Sequence, residues 1–144
     1  MIIQIGLYPP PIGGISIYIK RMKDFLDFKG IENKVWDYSG IKKTEKNVVS
    51  INFLLIPLFY ALKKNVNLVH YHICGMLPKQ YISFFNKIFF KNRIKIITLH
   101  GDCTALHKRM IKPFINTINS FDAVICVKHN DKEFLLNHGL SSDV

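Results

Sequence analysis

Acidic residues are scarce in this chain: ten Asp and Glu stand against twenty Lys and Arg, a formal charge of +10 over 144 residues. Glycoside hydrolysis needs two facing carboxylates, and no such pair stands out at the predicted strand ends. Cysteine is also sparse. Cys74, Cys103 and Cys126 make an odd number with no close-spaced pair, so neither a disulfide framework nor a CxxC redox or zinc motif is indicated, and a reducing cytoplasm fits. Long apolar runs are missing as well. The most apolar window, Ile51 to Leu62, is shorter than the roughly 20 residues a bilayer span needs and contains Pro57. Pro9 to Pro11 break the N-terminal apolar residues before a signal-peptide core can form. GxGxxG, the P-loop signature, GxSxG and HExxH do not occur.

What is present is enough apolar residue, 49%, to bury a normal core, and a regular alternation of element types. Short apolar runs at Ile2 to Leu7, Lys34 to Tyr38, Asn67 to His72, Ile94 to Leu99 and Ala123 to Val127 read as strands. Between them, Ser16 to Lys29, Phe53 to Lys64, Leu77 to Lys91, Ala105 to Ser120 and Asp131 to Asn137 read as helices, with Gly30 and Gly139 placed as C-terminal stops. Parallel strands need helical crossovers. The expected fold class is therefore α/β, a Rossmann-like doubly wound parallel sheet of about five strands in one domain spanning 1–144.

In such sheets ligands bind beyond the carboxyl ends of the strands. That singles out Gly13 and Gly14 in YPPPIGGISIYIKRM, then His70, His72 and Cys74, then His100, Gly101, Asp102 and Cys103, and finally Lys128 and His129. Adjacent glycines at a strand-to-helix junction let backbone N–H groups approach a ligand, and the helix start favours an anion, so phosphate is the natural guess; a plain tight turn is the simpler alternative. A zinc site shared by HYHIC and HGDCTALH is disfavoured if the five strands lie in the order 3-2-1-4-5, which separates the two segments by three strand spacings, about 14 Å. A local site of His100, Cys103 and His107 is a minor alternative. His100, a titratable group at a strand end beside a glycine, is the best single polar candidate, with helix capping as its structural alternative.

The excess charge calls for a negative partner. Clusters at Lys42, Lys43 and Lys46, at Lys63 and Lys64, at Lys87, Lys91, Arg93 and Lys95, and at Lys108, Arg109 and Lys112 are explained in part as solvated helix ends, since cations suit helix C-termini. Nucleic acid ranks last, because no recognition helix, zinc finger or RNP-like strand is present.

Taken in order, YPPPIGGISIYIKRMKDFLDFKG, NLVHYH, IKIITLHGD and FDAVICVKHNDKEFLLNHG resemble the N-terminal domain of family 4 retaining glycosyltransferases of the GT-B fold, across Ile2 to Leu140. The resemblance implies a nucleotide-sugar donor, a saccharide or lipid-linked acceptor, transfer with retention, and no metal or cofactor. By position it implies Gly13 and Gly14 near the donor phosphates, His100 as the catalytic residue reaching the transferred sugar with Gly101 beside it, and His72 in the substrate-side strand motif, where a structural role fits equally. Asn67 stands where the family often has Asp, and Lys128 where it usually has Ser. Family members carry a second Rossmann-like domain with an E-x7-E-like motif. The expectation is thus an acceptor-side half, incomplete at its C-terminus and inactive without a donor-binding partner domain, working in polysaccharide or glycolipid assembly. Its expected location is the cytoplasm, or peripherally the inner face of the plasma membrane on anionic lipid, where FFNKIFFKNRIK from Phe84 to Lys95 is a candidate contact and core packing of its Phe residues the alternative. A non-catalytic membrane- or sugar-binding module that recruits a partner is the rival reading.

Overall fold

A computed structural model of the chain describes residues 1–52, 55, 65–73, 79–88 and 91–141. The predicted helix Phe53 to Lys64 lies outside the described residues but for Leu55, and Cys74 lies outside them too. The strands are β1 Ile2–Gly6, β2 Asn33–Asp37, β3 Val48–Ser50, β4 Leu68–Ile73, β5 Ile94–Leu99 and β6 Ala123–Cys126. The described helices are α1 Gly14–Phe28, α2 Lys79–Ile88, α3 Lys108–Ile118 and α4 His129–Asn137, with a 3-10 turn at Cys103–Ala105. The fold is α/β, Rossmann-like and doubly wound, its six strands ordered β3-β2-β1-β4-β5-β6 and flanked by helices.

Two details depart from expectation. Among the described residues there are six strands, because Val48–Ser50 forms a short edge strand; three residues with only Val48 buried carry too little pattern to be read. The order is also different. The five predicted strands run 2-1-3-4-5, so those bearing HYH and LHGD are neighbours, and the separation argument against zinc fails. The reversal of direction falls between β1 and β4.

Packing divides the chain into two compact units, Met1–His72 and Ile73–Val144. In the first, β1 runs parallel to β2 and β4, with Ile3 opposite Lys34 and Val69, and β2 runs parallel to β3. Ile3, Ile5, Val35 and Val69 are almost fully buried, as strands covered on both faces must be. On α1, Ser16, Ile19, Lys23 and Leu26 are buried at spacings of three and four, a single stripe turned to the sheet. The helix stops at Gly30, whose φ of +67° suits glycine; Gly30 N donates to Asp27 O and Ile31 N to Leu26 O, the Schellman arrangement.

In the second unit β5 and β6 pair in parallel, Ile97 opposite Val124. Phe114, Ile115 and Ile118 of α3 are buried, as is Leu135 of α4. The α4 helix ends as α1 does, with Gly139 at φ +98° and Leu140 N bonded to Leu135 O. No helix among the described residues is long and apolar enough to cross a membrane.

Candidate functional site

The first unit puts its informative loop at the reversal point, where β1 ends and α1 begins. Gly6 is required by packing: an added Cβ would stand 2.3 Å from Ile19 Cδ1 and 3.0 Å from His72 Cβ. Gly13 and Gly14 are different. Gly13 has φ −166° and ψ 170°, extended backbone open to any residue, and Gly14 is the first helical residue. A Cβ at either would meet nothing within 4 Å. Gly13 is the N-cap of α1, a position glycine suits, and no packing contact requires either glycine, so the pair leaves open approach to the start of a fifteen-residue helix.

The loop is firmly held from within the unit. Asp37, wholly buried at the end of β2, accepts from Tyr8 N at 2.9 Å and from Ser39 N and Oγ at 3.2 and 2.6 Å. The ammonium of Lys43 lies 3.4 Å from Asp37 Oδ2 and donates to Tyr8 O at 2.8 Å and to Pro10 O. Ser16 Oγ accepts from Gly13 N at 2.9 Å and lies 2.8 Å from Pro11 O, to which it donates. Tyr8 is buried beneath; burial first, then the nearby Glu45 carboxylate, raises the phenol above its ordinary range. In dinucleotide-binding folds an acid following the first βα unit holds a ribose hydroxyl. Here Asp37 is engaged by its own chain.

His72 is 0% exposed. Its ring lies 4.0 Å from that of His70 and 5.5 Å from Tyr18 on α1, and its carbonyl accepts from the Tyr38 hydroxyl at 3.4 Å. It supports the underside of α1.

In the second unit, His100 follows β5, its backbone N–H donating to Ile73 O at 3.0 Å. Its side chain is half-buried, and burial lowers its pKa, which keeps the imidazole neutral at pH 7. Gly101 and Asp102 line a small cavity of about 30 Å³ with Leu99, Cys103 and Leu106. The exposed Asp102 carboxyl is held down to about 2, first by Thr104 and then by Lys128, whose ammonium is 3.1 Å away. Cys103 is buried and its N–H donates to Asp131 Oδ1 at 2.7 Å; Asp131, also wholly buried, belongs to the first turn of α4. His107 caps α3, its Nδ1 accepting from Arg109 N at 3.3 Å. Among the described residues, no group of three or more His, Cys, Asp and Glu is placed to hold a metal ion.

Gly13, Gly14 and His72 thus belong to one unit, His100 and Gly101 to the other. Reading the sequence missed Asp37 and Lys43. An acid closing a predicted strand before a polar loop was the available signal for Asp37; the burial of Lys43 had none. It also missed Asp131, whose partner lies 28 positions away. No protein-family model matches the chain, and no curated protein matches it.

Proposed function

We propose that the chain is the acceptor-side, Rossmann-like half of a retaining glycosyltransferase that moves a sugar from a nucleotide sugar to a saccharide or lipid-linked acceptor, without metal or cofactor. The observation that carries this reading is the Gly13–Gly14 pair: two glycines at the reversal point of a parallel sheet that neither the backbone angles nor the packing requires. Backbone N–H groups at a helix start suit a phosphate of the donor. A neutral imidazole at His100 suits a hydrogen bond with a sugar hydroxyl, and Gly101 leaves room beside it. His72 acts beneath α1 as support.

In the transfer, the bond from the anomeric carbon to the phosphate oxygen breaks, the acceptor hydroxyl oxygen takes its place on the same face and gives its proton to the released phosphate oxygen, and nucleoside diphosphate departs. Departure needs cationic or hydrogen-bonding groups aimed at the developing charge. The 144 residues contain no two glutamates eight positions apart, so the E-x7-E-like contribution is to come from a donor-binding partner domain. The test is transfer of radiolabel from a panel of nucleotide sugars to membrane extract, by this chain alone and with a supplied donor-binding domain. Transfer only with both supports the half-enzyme; failure with both, from folded protein, favours the non-catalytic binding module.

A further inference from the structure

Another cavity of the second unit is lined by Thr104 and Leu106, from the turn between β5 and α3, and by residues of α3 and α4. It is an open groove of about 780 Å³ along α3 and α4. Ile111, Ile115 and Phe134 give it an apolar lining, Lys108, Lys112 and His138 a basic one, and no carboxylate lines it. Lys108 and Lys112 are four apart on α3 and therefore share a face. Among the described residues neither makes an ion pair.

The helix C-terminus explanation that serves for several of the basic clusters does not extend to this one. Lys108, Arg109 and Lys112 occupy the first five residues of α3, with no acid in the first turn and no base in the last. Cations at a helix start oppose the macrodipole. The fold gains nothing from them there, whereas an anion resting in the groove would be drawn to both lysines and to the helix start together.

We propose that this groove seats an anionic phospholipid of a membrane leaflet, its phosphate between Lys108 and Lys112 and its acyl chain along Ile111, Ile115 and Phe134. The pairing of an unopposed basic rim with an apolar floor fits an amphiphile; a nucleic acid or acidic peptide would use the rim and leave the floor uncovered. This contact lies on α3 and α4, a different segment from Phe84 to Lys95, where Phe84 and Ile88 are each 55% exposed. The proposal goes beyond glycosyl transfer and is read without it, so its failure leaves that reading standing.

The test is flotation of the full chain with vesicles of phosphatidylcholine alone or mixed with phosphatidylglycerol. Three proteins are compared: wild type, K108E/K112E, and K42E/K46E, which makes the same charge change at exposed positions of the other unit. Binding is expected to require phosphatidylglycerol, to fall more than about tenfold in K108E/K112E, and to stay within about threefold in K42E/K46E. Because acids suit a helix start, K108E/K112E is expected to melt no lower than wild type, which separates lost binding from lost folding. Equal losses in the two variants would overturn the groove. So would equal binding to neutral vesicles, no binding at all, or release of the bound chain by soluble poly-glutamate at matched charge.

Discussion

The two units carry the same charge, and single lysines within them do different work. Residues 1–72 and 73–144 each contain ten basic and five acidic side chains. In the first unit two cations are turned inward: the Lys43 side chain is 3% exposed against Asp37, and that of Lys23 is 5% exposed between Asp27 at 2.8 Å and Glu45 at 3.3 Å. Both tie the β1–α1 loop and its helix to the neighbouring strand ends. In the second unit Lys95 is buried on Asp122, but Lys108 and Lys112 stand around an open groove. Net charge therefore says little about which lysines meet a partner. Burial and pairing say which cations build the fold and which remain for something else.

The contrast is broken most severely at Lys43. Lys43→Met leaves the carboxylate of Asp37 buried without its cation and should cost about 3 kcal/mol in urea unfolding, whereas Lys112→Met should stay within about 0.5 kcal/mol. Adding Asp37→Asn to Lys43→Met should recover part of the loss. Equal effects of the two lysine variants would contradict the division into building and free cations.

Next in size is a comparison of glycines inside the first unit. Gly6→Ala forces a Cβ against Ile19 and His72 and should destabilise by about 1–2 kcal/mol. Gly14→Ala meets open space and should be neutral or stabilising by up to about 1 kcal/mol. A costly Gly14→Ala would mean that the fold needs the glycine, and the loop would lose its claim to a ligand.

Smaller still, Lys108→Glu should raise stability by about 0.3–1 kcal/mol, an effect that added salt should weaken. Unchanged stability at low salt would remove the argument that Lys108 is badly placed for folding. The most subtle prediction concerns His100. Its folded pKa lies below the unfolded value near 6.5, so the unfolded chain binds the proton more readily. The contribution is fully present above pH 6.5 and is lost as pH falls from there through the folded value. Replacing His100 by Asn should flatten the stability profile over that acid window, and an unaltered profile would show the ring to be unshifted.

Much of this architecture is legible in the residues. Strand β5 falls where its apolar run predicts, and the glycine stops after α1 and α4 are real because positive φ at those positions selects glycine. Strand order was not legible: periodicity reports which face is buried, not which neighbour a strand takes. Nor was the start of α3, where Cys103–Ala105 forms a separate 3-10 turn capped by Asp102 before His107 caps the helix proper. Of the candidate site, the open loop at Gly13 and Gly14 and the half-buried His100 were found from position alone. The Asp37–Lys43 clamp and the Asp131 contact were not, because they depend on groups brought together by folding.

On the proposed reading, the Gly13–Gly14 loop is kept open for a nucleotide-sugar donor. The most direct measurement is sugar transfer by wild type and Gly14→Val, each assayed with a donor-binding domain and each checked for the same urea midpoint. Stability should be unchanged and transfer reduced more than about tenfold, since a branched side chain would fill the approach to the helix start. Equal transfer by the two proteins would contradict it.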